Sequence, residues 1–110
     1  MEAFVKGDVV VLSFPFSYLS SAKRRPALAI SIFEGHDLLL CQITSQIEPD
    51  SYSIKLNDSD FKAGNLNLPS FIRGNKLFTA DKSLIQYKVG SLKDKKLKEV
   101  VDSICDLIRG

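Results

Sequence analysis

The residues of this chain best suited to chemistry are cations and hydroxyls at the ends of apolar runs. Lys23, Arg24 and Arg25 stand directly before Pro26 and the run Ala27-Leu28-Ala29-Ile30. Proline lacks an amide proton and fixes φ, so it is tolerated at the first residue of a strand and not in its middle. The run after it therefore reads as a strand with Arg24 and Arg25 at its mouth. A guanidinium there can meet a phosphate with a bidentate fork, which lysine cannot form. Thr44 and Ser45 close the apolar run that starts at Leu38, and Arg73 and Lys76 border two further strand-like segments. Taken alone, a Lys-Arg-Arg-Pro stretch is a solvated basic turn and a strand-end threonine is commonplace. Their meaning depends on what the fold brings together.

Glu34-Gly35-His36-Asp37 is a tight polar turn, which predicts that the strands on either side pair as a hairpin. The start of one then lies near the end of the other, and Arg25 and Thr44 become neighbours. An arginine beside a hydroxyl, without a metal, suits a phosphodiester: together they can bind the phosphate and stabilise charge building on its oxygens. RNA carries its own nucleophile in the 2′-hydroxyl. Other chemistries are poorly served. His36 is the single histidine, set in a turn away from any cysteine cluster, which argues against zinc and makes a Ser-His-Asp triad hard to assemble. Glycine-rich phosphate loops are absent, and every acid of the middle segment reads as a loop or exposed-strand residue, unsuited to paired-carboxylate chemistry.

The positioning elements follow from pattern. Val9 to Phe14 is a β-branched and aromatic strand ending at Pro15, and 16–22 is a long hydroxyl-rich loop. Strands are expected from Pro26 to about Ile32 and from Leu38 to Ser45, the latter central and buried on both faces over its first half. Tyr52 to Leu56 alternates as a half-exposed strand. Residues 57–69 are turn-rich, with Phe61 and Leu66 pinning them to the body, and short strands are expected over 70–74, 76–80 and 86–89. Ser91 with Asp94 three residues on resembles a capping box. Leu97, Val100, Val101, Ile104, Leu107 and Ile108 then recur as one apolar helical face, with Lys93, Lys95, Lys96 and Lys98 elsewhere on the cylinder. Five to seven short strands and one C-terminal amphipathic helix predict a mostly β chain, a bent barrel or sandwich with a helix packed on it.

A chain of 110 residues with 45% hydrophobic and 25% charged residues is expected to fold as a single domain over 1–110. The net charge of +2 hides acids concentrated between Glu34 and Asp60 and cations between Lys62 and Lys98, a polarity that permits polyanion binding without requiring it. Cys41 and Cys105 read as reduced core residues. No signal-peptide succession follows Met1 and no apolar run reaches membrane-span length, so a cytoplasmic protein with no membrane partner is expected.

Gly7-Asp8-Val9-Val10, Arg25-Pro26-Ala27-Leu28-Ala29-Ile30, Ile43-Thr44-Ser45-Gln46 and Phe71-Ile72-Arg73 stand in the order seen in the MazF/PemK family of toxins. Asn75 to Ile85 and the closing helix also resemble that family, so the likeness runs from about Val5 to the C-terminus. The resemblance implies a small SH3-like β-barrel with a C-terminal helix, usually a homodimer. It implies a toxin of a type II toxin–antitoxin pair: a sequence-selective, metal- and cofactor-independent endoribonuclease acting on single-stranded RNA. Such enzymes leave a 2′,3′-cyclic phosphate and a 5′-hydroxyl, and a cognate antitoxin, acidic and partly disordered, neutralises them. By position, Arg25 and Thr44 correspond to the catalytic pair, with Arg24, Ser45, Gln46, Arg73 and Lys76 as further RNA contacts.

The chain departs from the family pattern in three places. The loop before the arginines lacks the acid that many members carry, Phe71 stands where glutamine is frequent, and Gly74 replaces a frequent proline. A catalytically silent barrel that binds nucleic acid or a protein, including a gyrase-poisoning relative of the same superfamily, is the alternative reading.

Overall fold

The computed structural model describes residues 3–13, 24–47 and 49–110. The loop expected over 16–22 and Lys23 lie outside them. The strands are β1 (Asp8–Ser13), β2 (Arg24–Ile32), β3 (Asp37–Thr44), β4 (Ser53–Leu56), β5 (Phe61–Gly64), β6 (Ser70–Asp81) and β7 (Ile85–Leu92), followed by helix α1 (Asp94–Arg109). They form one antiparallel seven-stranded sheet in the order β4-β6-β3-β2-β1-β7-β5, curled into a half-barrel, the mostly β architecture with a C-terminal helix expected of the chain.

The β2–β3 hairpin forms as expected, closed by Phe33 N–H donating to the Asp37 carbonyl at 3.1 Å. β2 begins two residues before Pro26, paired to β1, whereas its ladder with β3 starts only at Ala27 opposite Gln42. The missing proline amide therefore sits at the end of one ladder, where it costs no β3 hydrogen bond. β3 has β2 on one side and β6 on the other.

Alternation along the strands gives the sheet two buried faces. Val9, Leu28, Ile30, Cys41, Ile43 and Ile72 meet Val100 and Ile104 of α1 on one face. Val10, Leu12, Ala27, Ala29, Leu38 and Leu40 form a second cluster, with Phe4, Phe78 and Ile85 packed against it. Burying Val100 and Ile104 contributes roughly 1.5–3 kcal/mol each to docking the helix.

Four local expectations are corrected. The two short strands over 70–80 are one strand of 12 residues with a break in its ladder: Cys41 pairs with Leu77 but Ile43 with Ile72, so residues 73–76 have no partners on β3. The turn-rich segment after Asn57 contains β5, which pairs with β7. Ser91 is no helix cap; it lies in β7 between Asp8 and Ala63, and the helix begins after Lys93, because two ladders outweigh a capping hydroxyl. Lys96 is buried rather than on the outer face, with its ammonium 3.5 Å from Asp60 and 3.3 Å from Glu99.

Candidate functional site

β2 carries both arginines, and its alternation sends them to opposite faces. Arg25 is two residues before Ala27 and shares the face of Val10, Leu12 and Ala27; Arg24, exposed and level with Ser13, lies on the other. On β3, Leu38 and Leu40 belong to that same second cluster, so Gln42 and Thr44 continue it towards the strand end. The β2–β3 ladder ends with Ala27 opposite Gln42; continued two residues past that last pair, the register would set Arg25 level with Thr44. Leu12 pairs with both Arg25 and Ile85, and Thr44 with Phe71. Ile85, Leu12 and Arg25 thus stand in one row and Thr44 and Phe71 in another, and the continued register would align the two.

Arg25 and Thr44 are both half-buried. The Thr44 Oγ1 accepts a 3.2 Å hydrogen bond from the Gln46 N–H, which orients the hydroxyl and leaves its proton to donate to an anionic oxygen. Ser45 and Gln46 follow the strand end and are exposed, next to Thr44 in the chain but past the ladder. Gln42 is half-buried beside them, and its carboxamide has no hydrogen-bond partner among the described residues.

Arg73 is brought to the same neighbourhood in a different role. It pairs with Ser53 of β4, is 6% exposed, and donates in parallel to both carboxylate oxygens of Asp50 at 2.8 Å and to Ser53 Oγ at 2.6 Å. The guanidinium beside Asp50 holds that carboxyl below the usual carboxylate range, chiefly by hydrogen bonding, with the charges of Arg73 and Lys76 adding to it. Arg73 thereby ties the segment after Thr44 to β4 and β6. Lys76 is exposed in the unmatched stretch of β6, near enough to act on Asp50. Beneath these, Cys41 Sγ donates to the Arg73 carbonyl at 2.8 Å, and burial pushes its thiol pKa up to about 12, so it is an inert core group.

Of the residues singled out in the sequence, Arg25 and Thr44 fall by alternation on one face just past the last pair of the β2–β3 ladder, Ser45 and Gln46 follow Thr44 in the chain, Arg73 pairs with Asp50, and Arg24 falls on the opposite face. Sequence reading missed Gln42 and Asp50. The first was accessible from the two-residue alternation of β3; the second needed the loop's return to β6. His36 is exposed in its turn, on the rim of a concavity of about 490 Å³ that Phe4, Asp81, Ser83 and Ile85 also line. Among the described residues no group of three His, Cys, Asp or Glu side chains could hold a metal ion, and no helix is long and apolar enough to cross a membrane.

Solved structures of this shape include several toxins. An endoribonuclease in complex with its cognate antitoxin from a mycobacterial species superposes with a TM-score of 0.76 at 13% identity, covering 96% of this chain and 95% of that one. The Mycobacterium tuberculosis toxin MazF-mt6 gives 0.72 at 15% identity, covering 93% and 96%. A MazE–MazF crystal structure from Deinococcus radiodurans gives 0.71 at 18% identity, covering 94% and 92%. No curated protein matches the sequence. The model of the PemK-like, MazF-like toxins of type II toxin–antitoxin systems matches residues 5–108, and the chain belongs to that family.

Proposed function

We propose that this toxin is a metal-independent, sequence-selective endoribonuclease that cuts single-stranded RNA at the Arg25–Thr44 pair. The observation that supports this reading is that the β2–β3 ladder ends at Ala27 and Gln42, each two residues along its strand from Arg25 and Thr44, with the Thr44 hydroxyl accepting from the Gln46 N–H. The 2′-oxygen attacks the adjacent phosphorus and the bond to the 5′-oxygen breaks, giving a 2′,3′-cyclic phosphate and a 5′-hydroxyl. The 2′-hydroxyl proton leaves to solvent, and the departing 5′-oxygen takes a proton up. Arg25, with a side chain that stays protonated in proteins, acts as a fixed positive charge for the phosphorane and not as the base. Thr44 donates its hydroxyl proton to a non-bridging oxygen. Ser45, Gln46 and Lys76, all exposed, contact the flanking RNA, while Arg73 acts by holding Asp50. A homodimer in the cytoplasm, neutralised by an acidic antitoxin whose disordered segment folds on binding, completes the reading.

Purified protein incubated with a long RNA in EDTA tests it. Discrete fragments with cyclic-phosphate ends are expected, and their loss in Arg25→Ala and Thr44→Ala. Intact RNA, or cutting indifferent to both substitutions, overturns the proposal. Size-exclusion chromatography with light scattering tests the dimer.

A further inference from the structure

We infer that Gln42 is a specificity-determining residue of the same site, reading the base beside the scissile phosphate; this rests on the RNA-cleaving reading above. β3 places Leu39, Cys41 and Ile43 against the helix-side core and Leu38 and Leu40 in the second cluster, so Gln42 and Thr44 are the polar end of an otherwise apolar strip. An aliphatic residue at position 42 would simply extend that cluster. A carboxamide there is half-buried and has no partner among the described residues, so its donor and acceptor are left for a ligand. Opposite it stands Ala27, fully buried in that cluster.

Position fits the role. Two residues along a strand are about 7 Å apart on one face, so Gln42 lies that far from Thr44, and it is a diagonal neighbour of Arg25 across the ladder. A base on a ribose flanking the bound phosphate reaches it. The carboxamide offers a donor and an acceptor side by side, the complement of the edge of an unpaired base, and such two-point pairs discriminate between bases. Arg25 and Thr44 would grip any phosphate; Gln42 would decide which nucleotide is held there.

The test compares cleavage-site sequencing of the full chain with that of Gln42→Met, which keeps the length of the side chain and removes its hydrogen bonds. Preference at one nucleotide next to the cut should fall about tenfold, with preferences elsewhere, the cyclic-phosphate ends and the thermal midpoint retained. An unchanged motif overturns the inference. So does an equal fall at every site, which would make Gln42 a positioning residue for Arg25. If the unaltered chain leaves RNA intact, the endoribonuclease reading fails and takes this inference with it, a result distinct from cleavage with an unaltered motif. Gln42→Leu repeats the comparison should the methionine variant misfold.

Discussion

Arg73 and Asp50 form a bidentate ion pair, two parallel 2.8 Å hydrogen bonds between a guanidinium 8% exposed at its side chain and a carboxylate 29% exposed. The pair ties β6 to Asp50, which stands shortly before β4. An arginine in an Ile-Arg motif reads in sequence as a contact for RNA; here its fork is already filled by an acid from the same chain. The acidic middle and basic second half of the sequence thus partly neutralise one another, at Asp50 with Arg73 and again at Asp60 with Lys96.

Removing one partner of that pair should harm more than removing both. Asp50→Asn takes the bidentate carboxylate away from a guanidinium that stays buried, whereas Asp50→Asn with Arg73→Met removes the buried charge as well, and the double variant should unfold at higher urea than the single one. The pH dependence has a definite sign. The Asp50 carboxyl is depressed in the folded chain, so its stabilisation is present above the ordinary carboxylate value and is lost as pH falls through the lower folded value. The gap in urea midpoint between the unaltered chain and Asp50→Asn should therefore close below about pH 4.

At the reacting pair, the hydroxyl of Thr44 and the charge of Arg25 should be separable. Thr44→Ser keeps the donor and should stay within a few-fold of full cleavage. Thr44→Val keeps the shape and should lose about tenfold or more. Arg25→Ala should lose on the order of 10²–10³ in kcat, the usual effect of deleting a transition-state charge donor. Single-turnover cleavage of one defined oligonucleotide measures all three, and equal rates for Thr44→Ser and Thr44→Val would remove the hydroxyl from the mechanism.

The close pairing of β5 with β7 depends on two glycines. A Cβ on Gly90 would run into the Ala63 carbonyl, and one on Gly64, whose φ is +70°, into the Val89 carbonyl. Both obstacles are backbone and cannot turn aside. Gly90→Ala should cost roughly 1–3 kcal/mol in urea unfolding, and a variant as stable as the original would show that β5 can detach freely.

Much of this was legible before the fold. Hydrophobic patterning located β1, β2, β3 and the helix, and the Gly-His-Asp turn located the hairpin whose far end leads to Arg25 on one strand and Thr44 on the other. Features created by distant pairing were not legible. β5 is short, glycine-ended and exposed at three of its four residues, so only its ladder with β7 reveals it. Ser91 looked like a cap because local spacing carries no record of the two strands that claim it. Arg73 could not be told from a ligand-binding cation without Asp50, 23 residues away in sequence.

The helix offers the sharpest contrast between pattern and burial. Ile104 and Ile108 occupy the same apolar stripe one turn apart, yet Ile104 is 5% exposed against the sheet and Ile108 72% exposed beyond it. Periodicity fixes direction around the helix axis but not how far the sheet extends beneath it. Ile104→Ala should therefore destabilise the chain by about 2–4 kcal/mol through lost burial and a residual cavity. Ile108→Ser in the isolated toxin should change stability by less than about 0.5 kcal/mol. Urea denaturation measures both. A loss at Ile108 comparable to that at Ile104 would mean that the last helical turn is covered in solution, and repeating the measurement over a range of protein concentrations would then show whether a second copy of the chain covers it.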